Sequence, residues 1–226
     1  MGERWVDEHR RDPYARRAKR EDYRSRAAYK LLQINKKFRI MHKGDAVLDL
    51  GCAPGGWSQV AAKAVGPKGL VVGVDLEDVQ PFPGLTFVRG DLASETTQAA
   101  ARACLLGRRA RVVLSDMSPN ISGTYGLDHL RSILLARLAV DFGLPLMEEG
   151  GHLVVKTFEG EYSADLVSRL RTRFGRVKRF RPEATRKASS EVYVVAVGYD
   201  GGGPPDWLGF LGEDEVEEGD DGEDGP

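Results

Sequence analysis

The most constraining feature of this chain is a short apolar run, AVLDL at 46–50, that passes directly into the glycine-rich turn GCAPGGW at 51–57. More such runs follow at LVVGVDL (70–76), LTFVRGD (85–91), RVVLSD (111–116), GHLVVKTF (151–158), the basic GRVKRFRP and EVYVVAVGY (191–199). Helical patterns fall between them, at Ser58–Val65, Thr96–Leu106, His129–Met147 and Tyr162–Phe174. Near-continuous apolar strands alternating with helices require a sheet buried on both faces, which is a doubly wound α/β domain. The last two strands are joined only by the short link RPEATRKASS, so the sheet is expected to end antiparallel. Ahead of the first strand, Ser25 is the expected N-cap of a helix. That helix carries Lys30 and sets Ala28, Leu31, Leu32, Asn35 and Phe38 on or near one face.

In open α/β sheets, ligands bind beyond the carboxyl ends of the strands. Those ends here hold the Gly-rich turn, Asp75, Asp91 and Asp116. The glycines at 51, 55 and 56 do not follow the dinucleotide spacing G-x-G-x-x-G, and there is no Walker pattern for a nucleoside triphosphate. Asp75 stands where Rossmann-like sites hold a ribose diol, and Asp91 adjoins an adenine-sized slot. Carboxylates at three successive strand ends, without phosphate-binding groups, suit S-adenosyl-L-methionine, which carries a ribose, an adenine, an ammonium and a sulfonium.

Charge divides the chain into three. The total is 33 Lys and Arg against 34 Asp and Glu, a net −1, but ten of the acids and none of the bases lie in 201–226. Residues 1–200 therefore carry a net +9, which points to a polyanionic partner. The expected organisation is a basic N-terminal arm over 1–24, a catalytic domain over 25–200, and an acidic disordered tail over 201–226. The arm reads either as a solvated, partly disordered segment or as an RNA contact, in which Tyr14, Tyr23 and Tyr29 are candidates to stack on bases. Tyr29 reads equally as core. A second basic cluster runs from Arg171 to Lys187, with eight Lys and Arg against Glu183. No apolar run reaches the roughly 18–20 residues of a membrane helix. No secretory signal is seen in the first twenty residues. Cys52 and Cys104 make neither a disulfide framework nor a metal set. A cytoplasmic monomer with no metal and no membrane contact is expected.

Lys30 in SRAAYKL, Asp116 in SDMSPN, Lys156 in VVKTF and Glu191 in SSEVYV complete the pattern. Lys156 ends an apolar strand, where an ammonium is expensive to bury without partners. With DLGCAPGGWSQVA, these motifs resemble the FtsJ/RlmE family of ribosomal RNA ribose 2′-O-methyltransferases, over about 22–199. The resemblance implies a Rossmann-like S-adenosylmethionine-dependent methyltransferase fold, with a seven-stranded, mostly parallel sheet and an antiparallel last strand. It implies a catalytic tetrad of Lys30, Asp116, Lys156 and Glu191, with Lys156 as general base. It also implies cofactor contacts from Gly55, Gly56, Trp57, Asp75, Asp91 and Asp116. The implied substrate is a uridine ribose in large-subunit (23S-type) rRNA or the large ribosomal subunit. Cys52 stands where Ala is common in the family, the TRAM-type extension of some relatives is absent, and the acidic tail is an addition. A relative acting on tRNA riboses shares the same four residues, and a non-catalytic ribosome-assembly factor is the remaining alternative.

The chemistry constrains Lys156 independently. A ribose hydroxyl gains nucleophilicity by losing its proton, and an isolated lysine ammonium cannot take it. One unit charge at ~5 Å and an effective dielectric of ~20 is worth roughly 3 kcal/mol. Lys30 and a sulfonium favour a neutral Lys156, whereas Asp116 and Glu191 favour the ammonium. The base role therefore depends on the cofactor's charge tipping a near balance. The competing reading is that Lys156 only orients the hydroxyl.

Overall fold

The computed structural model describes residues 12–211. Seven strands form one sheet: β1 (Ala46–Leu50), β2 (Leu70–Asp75), β3 (Leu85–Arg89), β4 (Ala110–Ser115), β5 (Met147–Phe158), β6 (Phe174–Phe180) and β7 (Glu191–Tyr199). Their spatial order is β3-β2-β1-β4-β5-β7-β6. Pairs from β3 through β5 are parallel, and β7 runs antiparallel to both β5 and β6. The expected α/β sheet with an antiparallel last strand is therefore present. β1 neighbours both β2 and β4, so the strand order reverses there and opens a crevice at the carboxyl ends.

Among the described residues, six α-helices accompany the sheet: α1 (Pro13–Arg20), α2 (Ala28–Phe38), α3 (Gly56–Val65), α4 (Glu95–Cys104), α5 (Tyr125–Gly143) and α6 (Ser163–Arg171). Strand side chains alternate between the two faces. Leu48, Leu50, Val113, Leu153 and Val155 meet α4, α5 and α6 through Ala101, Ile133, Val140, Leu166 and Leu170. Val47, Val112, Leu114, Val154 and Tyr193 meet α2 and α3 through Leu31, Ile34, Trp57, Val60 and Ala61. Both faces are thus covered, as the apolar runs require. Among the described residues, no helix is long and apolar enough to cross a membrane.

Several boundaries differ from the sequence expectation. Ser25 does not cap α2. That helix starts after Ala27, which already has helical φ/ψ and makes no side-chain cap. The expected helix over His129–Met147 begins earlier, at Tyr125, and gives way to a 3₁₀ turn at Leu144–Leu146 around Pro145. Met147 and Phe174 belong to strands instead of helix ends.

The segment read as an arm contains α1. Pro13 occupies its first turn, and the Asp12 side chain caps it by accepting from Tyr14 N at 3.0 Å and Ala15 N at 3.2 Å. Residues 1–11 lie outside the described residues. At the other end, the chain past residue 200 is not uniformly tail. Phe210 is fully buried among Ile133, Leu166 and their neighbours, and Trp207 Nε1 donates to Asp141 Oδ1 at 2.7 Å. Nine of the ten carboxylates, from Glu213 onward, lie outside the described residues.

Candidate active site

At the carboxyl ends of β1, β2 and β4, and just beyond β3, a cavity of about 360 Å³ opens. This is within the range of small-molecule sites. Gly51, Ala53, Asp75, Asp91, Asp116 and Met117 line it, with Leu135 and Leu138 of α5 closing one side. Gly51 has φ +72°, and a Cβ there would fall 2.2 Å from Met117 Cγ, so only glycine lets the turn close on that wall. Asp75 is held by backbone amides: Ala53 N donates to Oδ2 at 2.8 Å and Glu77 N to Oδ1 at 2.9 Å. Asp91 Oδ1 accepts from Ala93 N at 2.9 Å. Carboxylate oxygens retain further lone pairs for a ligand. Among the described residues no Lys, Arg or His lines this cavity, whereas Glu77 adds a fourth carboxylate to its wall. Such a lining fits a ligand with positive charge and hydroxyls and without phosphate.

Beneath the turn, Asp49 is 1% exposed and accepts a hydrogen bond from Ser58 Oγ at 2.5 Å. Burial pushes its carboxyl up to about 7; Ser58 opposes this and the nearby Asp116 and Asp75 add to it. The Cys52 thiol is also pushed up, first by burial and then by Asp49 and Asp75, which makes it a poor nucleophile.

Three of the residues implied as cofactor contacts do not line this cavity. Trp57 is 3% exposed, donates from Nε1 to Ala27 O at 2.8 Å, and sets its ring 5.5 Å from that of Tyr193. It ties α3 to the segment leading into α2. Gly55 faces Arg24, whose guanidinium donates to the carbonyls of Pro54, Gln80 and Pro81. Gly56 faces Ser25, whose Oγ lies 2.2 Å from where a Cβ would be.

The tetrad residues converge from four elements. Asp116 follows β4, Lys156 lies in β5, Glu191 opens β7 and Lys30 lies in the first turn of α2. The register brings them together: Ser115 pairs with Val155, Lys156 with Tyr193, and Phe158 with Glu191. Lys30 Nζ donates to Glu191 Oε2 at 2.7 Å. Lys156 Nζ donates to Asp116 O at 2.7 Å and lies 3.3 Å from Asp116 Oδ1 and 3.9 Å from Glu191 Oε1. Two ammonium groups and two carboxylates thus balance, with Lys30 only 8% and Lys156 only 5% exposed. At Asp116, burial alone would raise the carboxyl. Lys156 and Lys30, with the hydrogen bonds from Tyr193 and Lys156, outweigh it and hold the group below its ordinary value.

Tyr193 was not singled out from the sequence. Its hydroxyl donates to Asp116 Oδ1 at 2.7 Å, and its ring lies 5.6 Å from Lys30 Nζ. The signal was available, because Tyr193 is two residues past Glu191 on a strand and shares its face.

A second cavity, of about 310 Å³, adjoins the tetrad from the other side and is lined by Arg26, Ala27, Lys30, Arg186, Ser189 and Glu191. Asp116 lines the first cavity, and Lys30 and Glu191 line the second, so the tetrad joins them. Arg181 fixes the second cavity's rim by donating to the carbonyls of Arg186, Lys187, Ser189 and Glu191, at 2.5–3.3 Å. A neighbouring groove carries Arg16, Lys19, Arg24 and Arg26. Of the three tyrosines that are candidates to stack on bases, Tyr29 takes its alternative reading as core, and Tyr14 and Tyr23 are half-buried against it. Tyr29 is buried with its ring 5.4 Å from Tyr14 and 5.7 Å from Tyr23, and its hydroxyl donates to Glu21 at 2.9 Å. Among the described residues, no cluster of three His, Cys, Asp or Glu could hold a metal.

Residues 23–199 match the model of the FtsJ-like methyltransferases. The ribosomal RNA large subunit methyltransferase E of Methanobrevibacter smithii is 46% identical over 201 residues, covering 88% of this chain and 95% of its own. The protein of the same name from Marinobacter nauticus is 45% identical, covering 87% and 95%. A solved ribosomal RNA methyltransferase structure from Plasmodium falciparum superposes with a TM-score of 0.72 at 28% identity, over 78% of this chain and 98% of that one. The match spans the turn, the acidic strand ends and all four tetrad positions, and on that ground the chain belongs to the FtsJ-like methyltransferase family.

Proposed function

We propose that this protein transfers a methyl group from S-adenosylmethionine to the 2′-hydroxyl of a ribose, a uridine in large-subunit ribosomal RNA. The observation that carries this reading is the charge-balanced tetrad between an acidic cavity, lined among the described residues by no Lys, Arg or His, and a basic one. Bound in the acidic cavity, S-adenosylmethionine supplies a methyl group activated by a sulfonium. Asp75 would hold the ribose diol and Asp91 would lie toward the adenine. Gly55, Gly56 and Trp57 act at one remove, by shaping the turn.

In the basic cavity, Arg26 and Arg186 receive RNA phosphates, which position the strand without reading its sequence. The 2′-hydroxyl comes to Lys156. Beside the added positive charge of a bound sulfonium, the Lys156 ammonium would lose its proton to water, and the neutral amine would then take the proton of the 2′-hydroxyl. Asp116 and Glu191 hold that proton as an ammonium, Lys30 offsets Glu191, and Tyr193 fixes the Asp116 carboxylate. The methyl displacement is in-line, so rigid positioning by these buried pairs is the chain's main contribution. The names of the two archaeal and bacterial relatives above support ribosomal RNA as the substrate.

The test supplies methyl-labelled S-adenosylmethionine with large subunits, naked ribosomal RNA and tRNA in parallel. Label is expected in the ribosomal substrates, in a linkage that resists alkali, because a 2′-O-methyl removes the oxygen that attacks the phosphodiester. The Lys156→Ala variant should bind cofactor and transfer nothing. An alkali-sensitive product would overturn ribose methylation, and label confined to tRNA would overturn the substrate.

A further inference from the structure

The loop that follows Asp116, residues 117–124, carries no charged side chain; Ile121 within it and Tyr125 and Leu127 in the first turn of α5 are exposed. Ile121 is 65%, Tyr125 62% and Leu127 39% exposed. This exposure is built in. Asp128 is 7% exposed and binds the loop from α5: Ser122 N and Ser122 Oγ each donate to its Oδ1 at 2.8 Å, and Gly123 N donates to its Oδ2 at 3.1 Å. Tyr125 is tethered as well, its hydroxyl donating to Glu159 O at 2.5 Å. Glu159 in turn donates through its backbone N to Ser190 O at 2.9 Å, beside the Phe158–Glu191 strand pair. The phenol ring is therefore tethered just past the end of β5, next to the Phe158–Glu191 pair. The loop runs on from Asp116, whereas the basic cavity opens beside Lys30 and Glu191.

Resting on the ribose-methylation reading above, we propose that Tyr125, supported by Ile121, is the shelf on which the base of the target nucleotide stacks. A ribose whose 2′-oxygen is at Lys156 has its base one carbon away, and its phosphates lead off elsewhere. The phosphates match the arginine-lined side. The base needs a neutral, apolar surface, and this loop is one that adjoins the tetrad. Recognition of an unstacked base on an aromatic side chain is the common mode for single-stranded RNA.

The test measures binding of a uridine-containing RNA oligonucleotide and of the same oligonucleotide with the target base removed. Tyr125→Ala is expected to weaken the intact RNA about 10-fold, the low end for one stacked base, and to leave the abasic RNA unchanged. Tyr125→Phe, which keeps the ring and loses the Glu159 tether, should bind as the wild type does. Ile121→Ser should show a smaller loss of the same kind. The slope of affinity against salt should not change, since no phosphate contact is removed. Equal losses on the intact and abasic RNAs, or damage in Tyr125→Phe equal to that in Tyr125→Ala, would overturn the proposal. So would an effect on assembled subunits with none on the oligonucleotide, which would assign the patch to a ribosomal protein. Melting and cofactor-binding measurements on each variant control for folding. Failure of the wild type to methylate any ribose would refute the reading beneath the proposal and is scored separately in the labelled-methyl assay.

Discussion

Replacing Asp49 by Asn should change the pH dependence of stability by an amount the structure sets. Asp49 is fully enclosed at the end of β1, and its carboxyl moves from an ordinary 3.8 to about 7 on folding, chiefly by burial. A folded-state value above the unfolded one means the native protein holds a proton that the unfolded chain gives up. Stability from this group is therefore complete below pH ~4, falls as the pH rises, and reaches its floor above pH ~7. The displacement corresponds to about 4 kcal/mol, or a Tm change on the order of 10 °C for a chain of this size.

The wild-type curve alone would conceal it. His152 is 7% exposed with Nδ1 unpartnered, and burial, then Arg111, lowers it to about 4. Its contribution has the opposite sign, being lost as the pH falls from ~6.5 to ~4. The informative quantity is the difference between Asp49→Asn and wild type, from urea unfolding at about pH 4 to about pH 7.5. That difference should grow by about 4 kcal/mol in favour of the variant as the pH rises. Parallel profiles would show that Asp49 does not change its proton affinity on folding, and the burial argument for this strand end would be wrong.

Three further outcomes are expected. His152→Gln should retain up to about 3 kcal/mol more of its neutral-pH stability at pH ~4 than the wild type does; an unchanged acid limb in urea unfolding would count against a buried neutral imidazole. Glu191→Gln leaves Lys30 and Lys156 facing a single carboxylate; with the Glu191 side chain 20% exposed, the cost should be about 3 kcal/mol, the low end for breaking a buried pair. Its Tm should drop by roughly 10 °C, and a melt within experimental error of wild type would refute the pairing. Phe210→Ala should cost about 3–5 kcal/mol by leaving a core cavity, measured by chemical denaturation, and a neutral result would remove residue 210 from the folded body. Removal of the acidic run must accordingly start past Leu211, or it takes Trp207 and Phe210 with it.

The central strands were legible because short Val- and Leu-rich runs, buried on both faces, alternate with helical patterns. The tetrad was legible through its motifs, and the strand register then brought its members together across four elements. Other features were hidden for specific physical reasons. Met147 and Phe174 sit where a helix and the next strand share a continuous apolar pattern, so periodicity alone cannot divide them. Trp57 stands in the cofactor motif, but it faces the sheet, and only its depth reveals a packing role. The Asp12–Pro13 start of α1 is an ordinary cap signal that the density of arginines obscured. Trp207 and Phe210 were averaged into the acidic composition that follows them. Tyr193 needed the alternation of β7 to be applied to side chains other than Glu191.

The sheet order also dictates when this enzyme becomes one. β7 is the last strand in the chain, yet it lies between β5 and β6 and brings Glu191 and Tyr193 with it. A chain assembled only through β5 would already have the strand ends that form the acidic cavity, and would hold Lys156 beside Asp116. It would lack the carboxylate that balances Lys30 and the phenol that fixes Asp116. Non-local pairing of this kind is slow to form. On the function proposed above, methyl-donor binding matures before turnover does, and catalytic competence reports that the final strand has been inserted.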